Sequence, residues 1–180
     1  MSVRRPPSLK RPTVMPWDAA MTVMPLDMAK AAGALARATA LLLDREIKIA
    51  VGESVYAVSE EKNLLFAYTL LFAAVRPLLG SATVSLEERG ELVRLSLSGD
   101  LRAPRAPTET AMLFEEARLP YDRFLHALSV AKASCSLETE NGVFRAHLDL
   151  MRFRAERFVV CASSDEQTVC TEMYLVLLSL

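Results

Sequence analysis

Residues 59–97, SEEKNLLFAYTLLFAAVRPLLGSATVSLEERGELVRLSL, carry the strongest structural signal in this chain. Within them, residues 64–75 are apolar around nearly the whole helical circumference. A helix of this kind belongs in the interior of a domain rather than on its surface. Ser59 is predicted to be its N-cap, and Pro77 and Gly80 are predicted to end it. The segment therefore predicts a buried central helix.

A hairpin is predicted directly after this helix. Apolar and polar residues alternate on both sides of the tetrapeptide Glu88-Arg89-Gly90-Glu91, which predicts a turn between two antiparallel strands. The opposite faces of both strands are polar, so one side of the resulting sheet should contact water. The apolar positions are Ala82, Val84 and Leu86 in the first strand and Val93, Leu95 and Leu97 in the second.

Upstream of this segment, helical periodicity over residues 26–44 predicts a helix with Asp27 as its N-cap. Alternation over residues 47–51 predicts a half-buried strand, and residues 55–58 predict a short second strand after a turn at Gly52. The chain before the central helix is therefore expected to contribute one helix and two strands.

Downstream, residues 101–107 break regularity and residues 108–118 predict a short helix before Pro120. A second helix is predicted over residues 122–133, capped by Asp122. A final hairpin is predicted around the Asn141-Gly142 turn. The inward positions of the second helix are predicted to be Phe124, Leu125, Leu128 and Ala131.

The end of the chain predicts a further strand and helix. Residues 158–161 have strand character, and Ser164 and Gln167 have capping-box spacing. The apolar stripe of this last helix is Val169, Cys170, Met173, Tyr174, Leu177 and Leu178. A basic patch precedes it, formed by Arg152, Arg154 and Arg157. We expect three parts: a flexible basic, Pro-rich tail over residues 1–25, a domain over 26–151 and a strand–helix extension over 152–180.

Composition excludes several classes of protein. With 52% hydrophobic and 24% charged residues, the 180-residue chain is an ordinary globular protein. Lys and Arg total 21 against 22 Asp and Glu, so no net field favours nucleic acid or an anionic membrane. No apolar run approaches the roughly 20 residues that span a bilayer, and the amino end does not have the pattern of a signal peptide.

The cysteines predict neither disulfides nor a zinc site. Cys135, Cys161 and Cys170 form no CxxC pair, and the chain has only two histidines. Reduced thiols packed as small hydrophobes are the expectation, which favours a cytoplasmic protein.

The predicted order of elements resembles that of a known family. Helix, strand, buried helix, hairpin, irregular segment, helix and hairpin follow one another as in the ATP-binding domain of sensor histidine kinases, a fold shared with gyrase, Hsp90 and MutL. The resemblance covers residues 26–150. It implies an α/β fold of the α+β two-layer sandwich type, with a mixed, mostly antiparallel sheet and helices packed on one face.

The resemblance also identifies positions on the central helix. In the family this helix reads approximately Leu-Leu-x-Asn-Leu-Leu-x-Asn-Ala-Ile-Lys, and its second Asn helps to hold Mg²⁺ beside the phosphates. The best-matching string is AYTLLFAAVR over residues 67–76. Thr69 stands in place of the first Asn, Ala73 in place of the metal-binding Asn and Arg76 in place of the Lys. Ala73 offers no oxygen to a cation that requires hard oxygen donors.

Two further elements of the family site differ in this sequence. The family places an Asp-x-Gly after the second hairpin strand, and its Asp reads the adenine amino group. Here Asp100 follows Gly99 one residue out of register, and such a shift reverses the side-chain direction. Asp100 is therefore either an adenine reader or a solvated carboxylate at the strand end. The family's glycine-rich lid corresponds to residues 102–121, which contain no glycine to let backbone N–H groups approach phosphates.

These differences predict a noncatalytic, histidine-kinase-like domain that acts by protein–protein contact in signal transduction or regulation. No catalytic residue, metal site or cofactor is expected, and Thr69, Ala73, Arg76 and Asp100 mark an inactive nucleotide site. The alternative is a divergent ATP-binding enzyme of the histidine kinase type that uses ATP and Mg²⁺ with substituted residues.

A second alternative is a phosphorelay protein similar to histidine phosphotransferases, some of which carry a degenerate kinase-type domain. Such proteins present an exposed His followed by an acidic residue, a context that neither His126 nor His147 has. We expect His126 to be a partly buried helix residue and His147 to lie on the strand face away from Phe144 and Leu148.

Protein partners, including a second copy of the chain, are expected instead of nucleic acid or membrane. The candidate contact surfaces are the helix over residues 26–44 and the last helix, with Met173, Tyr174 and Leu177. The alternative is that both helices pack on the domain's own core.

Overall fold

A computed structural model describes residues 24–43, 47–50, 55–153 and 166–180 of the chain. Helices cover one face of a five-stranded sheet, and a second, two-stranded sheet lies beside it. In chain order the elements are β1 (Met24–Asp27), α1 (Met28–Leu43), β2 (Ile47–Ala50), β3 (Tyr56–Ser59), α2 (Glu61–Val75), a 3-10 turn (Arg76–Leu78), β4 (Ala82–Arg89), β5 (Leu92–Asp100), α3 (Thr110–Ala117), α4 (Tyr121–Ala131), β6 (Ala133–Glu140), β7 (Val143–Met151) and α5 (Glu166–Leu178).

The main sheet has the order β2-β4-β5-β7-β6. β2 runs parallel to β4, whereas the other neighbours are antiparallel. This confirms the predicted α+β sandwich with a mixed, mostly antiparallel sheet. The small sheet joins β1 to β3, and the sequence analysis did not predict β1, which contains Pro25.

The hydrophobic core lies between the sheet and α2. The helix is buried over most of its length, as the sequence predicted. It faces the apolar positions of the central strands, because successive strand residues point to opposite sides of a sheet. The buried strand positions are Val84, Leu86, Val93, Leu95, Leu97, Phe144, Ala146, Leu148 and Leu150.

Both predicted hairpin turns are confirmed. β4 and β5 are joined by Gly90 and Glu91, and β6 and β7 by Asn141 and Gly142. Asn141 has φ 52° and Gly142 has φ 79°, as a type I′ turn requires.

Of the N-caps predicted for α1, α2 and α4, the first is confirmed and the other two are wrong. Asp27 caps α1 as predicted, since its Oδ1 accepts hydrogen bonds from the backbone N of Ala29 at 3.1 Å and of Lys30 at 3.2 Å. The prediction of Ser59 as the cap of α2 is wrong. Ser59 is the last residue of β3, where its buried hydroxyl donates to the Ala131 carbonyl at 2.8 Å.

Glu60 caps α2 instead of Ser59. Its carboxylate accepts from the backbone N of Lys62 at 3.3 Å and of Asn63 at 2.7 Å. A carboxylate at this place also favours the positive end of the helix dipole.

The prediction for α4 is wrong in its cap and in one inward residue. Pro120 is the N-cap, without a side-chain hydrogen bond, and Asp122 lies in the first turn. Leu125 is 45% exposed, and Ala127 is buried in its place. Asp122 lies two residues after the N-cap position of a helix that begins at Tyr121.

The last helix packs on the domain's own core. α5 contacts α1 and α2, and it buries Val169 and Met173. Tyr174 and Leu178, predicted members of the same stripe, are exposed. The predicted strand over residues 158–161, the turn at Gly52, the capping Ser164, Cys161 and the basic residues Arg154 and Arg157 lie outside the described residues.

Candidate functional site

The matching positions on α2 form one row along the helix but have different surroundings. Thr69, Ala73 and Arg76 are four and three residues apart, which aligns them on one side. Thr69 is fully buried, Ala73 is half-buried and Arg76 is exposed. The Thr69 hydroxyl donates to the Leu65 carbonyl at 2.8 Å. The row therefore presents one guanidinium, one methyl group and a hydroxyl bonded within its own helix.

Asp100 ends β5, close to the segment that follows Arg76. Its carbonyl accepts from the backbone N of Gly80 at 2.7 Å. Its carboxylate accepts from the Ser81 hydroxyl at 3.0 Å. Because strand residues alternate, Asp100 lies on the same side as Ser96 and Ser98, opposite to the helices. The structure thus brings Asp100 near the end of α2 but holds its carboxylate on a neighbouring serine.

The helix-facing position at this strand end belongs to Gly99, in line with the buried Leu95 and Leu97. A Cβ at Gly99 would lie 1.8 Å from the carbonyl oxygen of Ser81. Real Cβ atoms do not approach backbone so closely, so a side chain here requires the backbone at Ser81 to move. A carboxylate would point toward the helices only from position 99, and that position has no room for a side chain.

In the segment 102–121, which the resemblance matches to the family's lid, aromatic side chains pack against one another. The ring centroid of Phe114 lies 4.4 Å from that of Phe124 and 5.5 Å from that of Tyr121. The Tyr121 hydroxyl is 3.1 Å from the Thr110 hydroxyl. The buried Phe114 thus anchors α3 to α4.

Two grooves border the first half of α2, on the amino-terminal side of the matching positions. One of about 310 Å³ lies between α2 and α5 and includes Lys62 and Glu172. The other, of about 370 Å³, lies between α2 and α4 and includes Asp122 and His126. His126 is exposed, so the prediction that it is partly buried is wrong. Across the described ranges of the chain, no group of three or more His, Cys, Asp and Glu could hold a metal ion.

The open face of the sheet carries a polar cluster that the sequence analysis missed. Arg94 makes a bidentate ion pair with Asp149, with both N–O distances 2.7 Å. The Ser96 hydroxyl lies 2.6 Å from His147 Nδ1. Glu138 Oε2 lies 3.2 Å from His147 Nε2, yet off the direction of a hydrogen bond. The placement of His147 away from Phe144 and Leu148 is confirmed.

This order of serine, histidine and carboxylate does not form an active site. Ser96 and His147 are each only 4% exposed, and neither lines a groove described above. A nucleophile that a substrate cannot reach performs no acyl transfer. The cluster instead pairs the Arg94, Asp149 and Ser96 side chains on the sheet and leaves His147 Nε2 without a hydrogen bond.

Two electrostatic effects follow from these contacts. The hydrogen bond from Arg94 holds the pKa of Asp149 below its ordinary value, and the contact with His147 does the same for the pKa of Glu138. Burial raises the pKa of the Cys135 thiol to about 12, so it stays protonated and unreactive at neutral pH.

Among the described parts of the chain, no helix is both long and apolar enough to cross a membrane.

No family model matches the chain, and no curated protein matches it. Solved structures do. The mycobacterial sensor histidine kinase MprB aligns with a TM-score of 0.55 at 14% identity, over 72% of this chain and 97% of that one. The ATP-binding domain of PrrB from Mycobacterium tuberculosis aligns with a TM-score of 0.53 at 18% identity, over 73% and 98%. The histidine kinase domain of the Escherichia coli osmosensor EnvZ aligns with a TM-score of 0.52 at 14% identity, over 79% and 96%. The chain therefore has the fold of the histidine-kinase ATP-binding domain, as its order of elements predicted.

Proposed function

We propose that this protein is a noncatalytic, histidine-kinase-like domain that acts by protein–protein contact in signal transduction or regulation. The observation that carries the proposal is the row Thr69, Ala73 and Arg76 on α2. A nucleotide-bound Mg²⁺ requires oxygen ligands. Here the position matching the metal-binding Asn is a methyl group, and the Thr69 hydroxyl is bonded to its own helix.

The strand end supports the same proposal. An adenine reader must present a carboxylate to the helix side, where the family's cofactor lies. Asp100 lies on the opposite side and bonds to Ser81, while the helix-facing Gly99 has no room for a side chain.

The segment over residues 102–121 gives independent support. Close approach of backbone N–H groups to phosphates is easiest at glycine. This segment has none, and its Phe114 is buried in the aromatic cluster with Tyr121 and Phe124. This packing holds the second half of the segment against α4.

Titration with a fluorescent ATP analogue, with and without Mg²⁺, tests the proposal. We expect no saturable, Mg²⁺-dependent signal at micromolar analogue. The ATP-binding domain of PrrB serves as the positive control. Micromolar, Mg²⁺-dependent binding would contradict the proposal and favour the divergent ATP-binding enzyme.

Two variants test whether any binding that is observed occurs at the family's nucleotide position. If nucleotide binds at the family position, Arg76→Ala should weaken binding, because Arg76 is the exposed cation at the end of the row. Arg123→Ala, which removes an exposed cation on α4, is the matched control. Equal weakening by both variants would indicate nonspecific attraction of an anion.

A further inference from the structure

The outer strand β6 leaves one edge of the main sheet open. Among the described residues it pairs with β7 alone. β6 contains no proline, and its register with β7 is continuous over all eight residues, without a bulge. Edge strands in soluble proteins are usually blocked by such devices, since an open edge is a template for another strand.

The hairpin geometry determines which backbone groups face outward. Glu140 and Val143 flank the two-residue turn, which makes them a hydrogen-bonded pair. Hydrogen-bonded and non-hydrogen-bonded pairs then alternate along β6. The residues whose N–H and C=O groups point away from β7 are Ala133, Cys135, Leu137 and Thr139.

We propose that β6 pairs antiparallel with β6 of a second copy of this chain, which joins the two sheets into one. Two copies side by side are related by a two-fold axis perpendicular to the sheet. Because the axis is perpendicular to the sheet, residues that face the helices in one copy lie opposite residues that face the helices in the second copy. With Ser136 on the axis, Cys135 lies opposite Leu137 of the second copy, and the outward groups form roughly eight backbone hydrogen bonds.

Backbone pairing and charge together favour this register. It pairs Ala133 with Thr139 of the second copy, so that Lys132, the left-handed C-cap residue directly before β6, comes close to Glu140 of that copy, and symmetry repeats the pair at the other end. Both side chains are exposed, and Glu140 lies 3.7 Å from Arg145 of its own chain, where it remains 73% exposed. With Cys135 on the axis, Lys132 would approach Glu138 instead, but roughly six backbone hydrogen bonds would form rather than eight. With Leu137 on the axis the ion pairs are lost, and with Glu138 on the axis two carboxylates oppose each other.

A groove lies beside the edge at the positions that would meet the second copy. The groove, of about 380 Å³, runs beside β6, with Thr110 and Tyr121 on one side and Cys135 and Leu137 on the other. Cys135 and Leu137 are half-buried in the isolated chain. Their pairing across the axis would remove more apolar surface from water.

Pairing through β6 goes beyond the proposed function. It is measured without nucleotide, so its outcome is independent of the ATP titration.

The first test of this pairing is the formation of a disulfide between the two copies. Ser136 forms a non-hydrogen-bonded pair with its own copy, with Cα atoms about 4.5 Å apart, within the range of a disulfide. Ser136→Cys should therefore give a covalent dimer under mild oxidation.

Ser134→Cys is the matched control. Ser134 is exposed on the same face of the same strand. In this register it lies opposite Glu138, and the two introduced thiols would be roughly 13 Å apart. We expect neither Ser134→Cys nor the unmodified protein to cross-link. Equal cross-linking of both variants, or none of Ser136→Cys, would overturn the proposal.

The second test reverses the ion pair and measures the oligomeric state by sedimentation velocity. The unmodified protein should dimerise reversibly. Lys132→Glu and Glu140→Lys should each weaken the dimer roughly tenfold, because each variant opposes like charges twice. The double variant Lys132→Glu/Glu140→Lys should restore it. A monomeric unmodified protein, or single variants that the double does not rescue, would overturn the proposal.

Discussion

Alternate residues of strands β5 and β7 form the two faces of the sheet, and different interactions stabilise each face. The covered face is apolar, and Leu95, Leu97 and Phe144 are completely or almost completely buried beneath the helices. The open face holds Arg94, Ser96, His147 and Asp149 in a network of hydrogen bonds and ion pairs. Apolar packing stabilises the covered face, whereas hydrogen bonds and ion pairs stabilise the open face.

The covered face is the one that holds α2 against the sheet. Packing between α2 and the sheet depends on apolar volume, which α2 retains in full. Of the row on α2, Thr69 is buried in that packing, whereas Ala73 is half-buried and Arg76 is exposed. The hydrogen-bonded and ion-paired side chains of Arg94, Ser96, His147 and Asp149 lie on the other side of the sheet.

The largest effect should come from emptying the covered face. Phe144→Ala removes a fully buried ring and should lower the free energy of unfolding by about 3–5 kcal/mol. Urea denaturation followed by circular dichroism measures the loss. Met151→Ala, at a residue 64% exposed at the end of the same strand, is the control and should change little. A loss below 1 kcal/mol for Phe144→Ala would refute the assignment of Phe144 to the core.

The next effect should come from filling the space at Gly99. Gly99→Ala introduces a Cβ where the Ser81 carbonyl lies and should cost about 2–3 kcal/mol, since backbone has to move. Gly80→Ala is the matched control, because its Cβ would meet its nearest neighbour at an ordinary 3.6 Å. Equal stability of the two variants, measured by thermal unfolding, would show that the strand end is open.

A smaller effect is expected on the open face. Arg94→Met leaves the carboxylate of Asp149 unpaired at a site where both side chains are almost buried, 12% and 13% exposed. We expect a loss of about 1–2 kcal/mol. The double variant Arg94→Met/Asp149→Leu should recover part of it, because no charge is then left alone. A double variant less stable than the single one would contradict this account.

The smallest effect is a dependence on pH that only the open face should produce. The folded-state pKa values of Asp149 and Glu138 lie below their ordinary values of 3.8 and 4.5. A lowered pKa means that the unfolded chain binds the proton more tightly. The contribution of both groups to stability is therefore present above those ordinary values and is lost as the pH falls further.

Chemical denaturation between pH 7 and pH 3 tests this assignment. Asp149→Asn should flatten the acid side of the stability curve. Phe144→Ala should lower the whole curve without changing its shape, because no titrating group is removed. A change of shape in Phe144→Ala alone would reverse our assignment of the pH dependence.

Much of the fold can be predicted from this sequence because its strongest signals are local. The apolar run of α2, the Asn141-Gly142 turn and the strand alternation each depend on neighbours within a few residues. The candidate site positions on α2 stay a prediction, which was made in the same way by comparing α2 with the pattern of a known family. The side-chain direction of His147 followed from alternation alone.

What the tertiary structure decided depends on residues far apart in the chain. Ser59 is a residue type that often caps helices, but its hydroxyl donates instead to the Ala131 carbonyl, 72 residues away. Ser96 meets His147 across 51 residues, because β5 pairs with β7 in one register. The closure at Gly99 and the open edge of β6 likewise exist only once the strands are placed. Local periodicity determines what each segment becomes, whereas its polar partners depend on which distant backbone lies beside it.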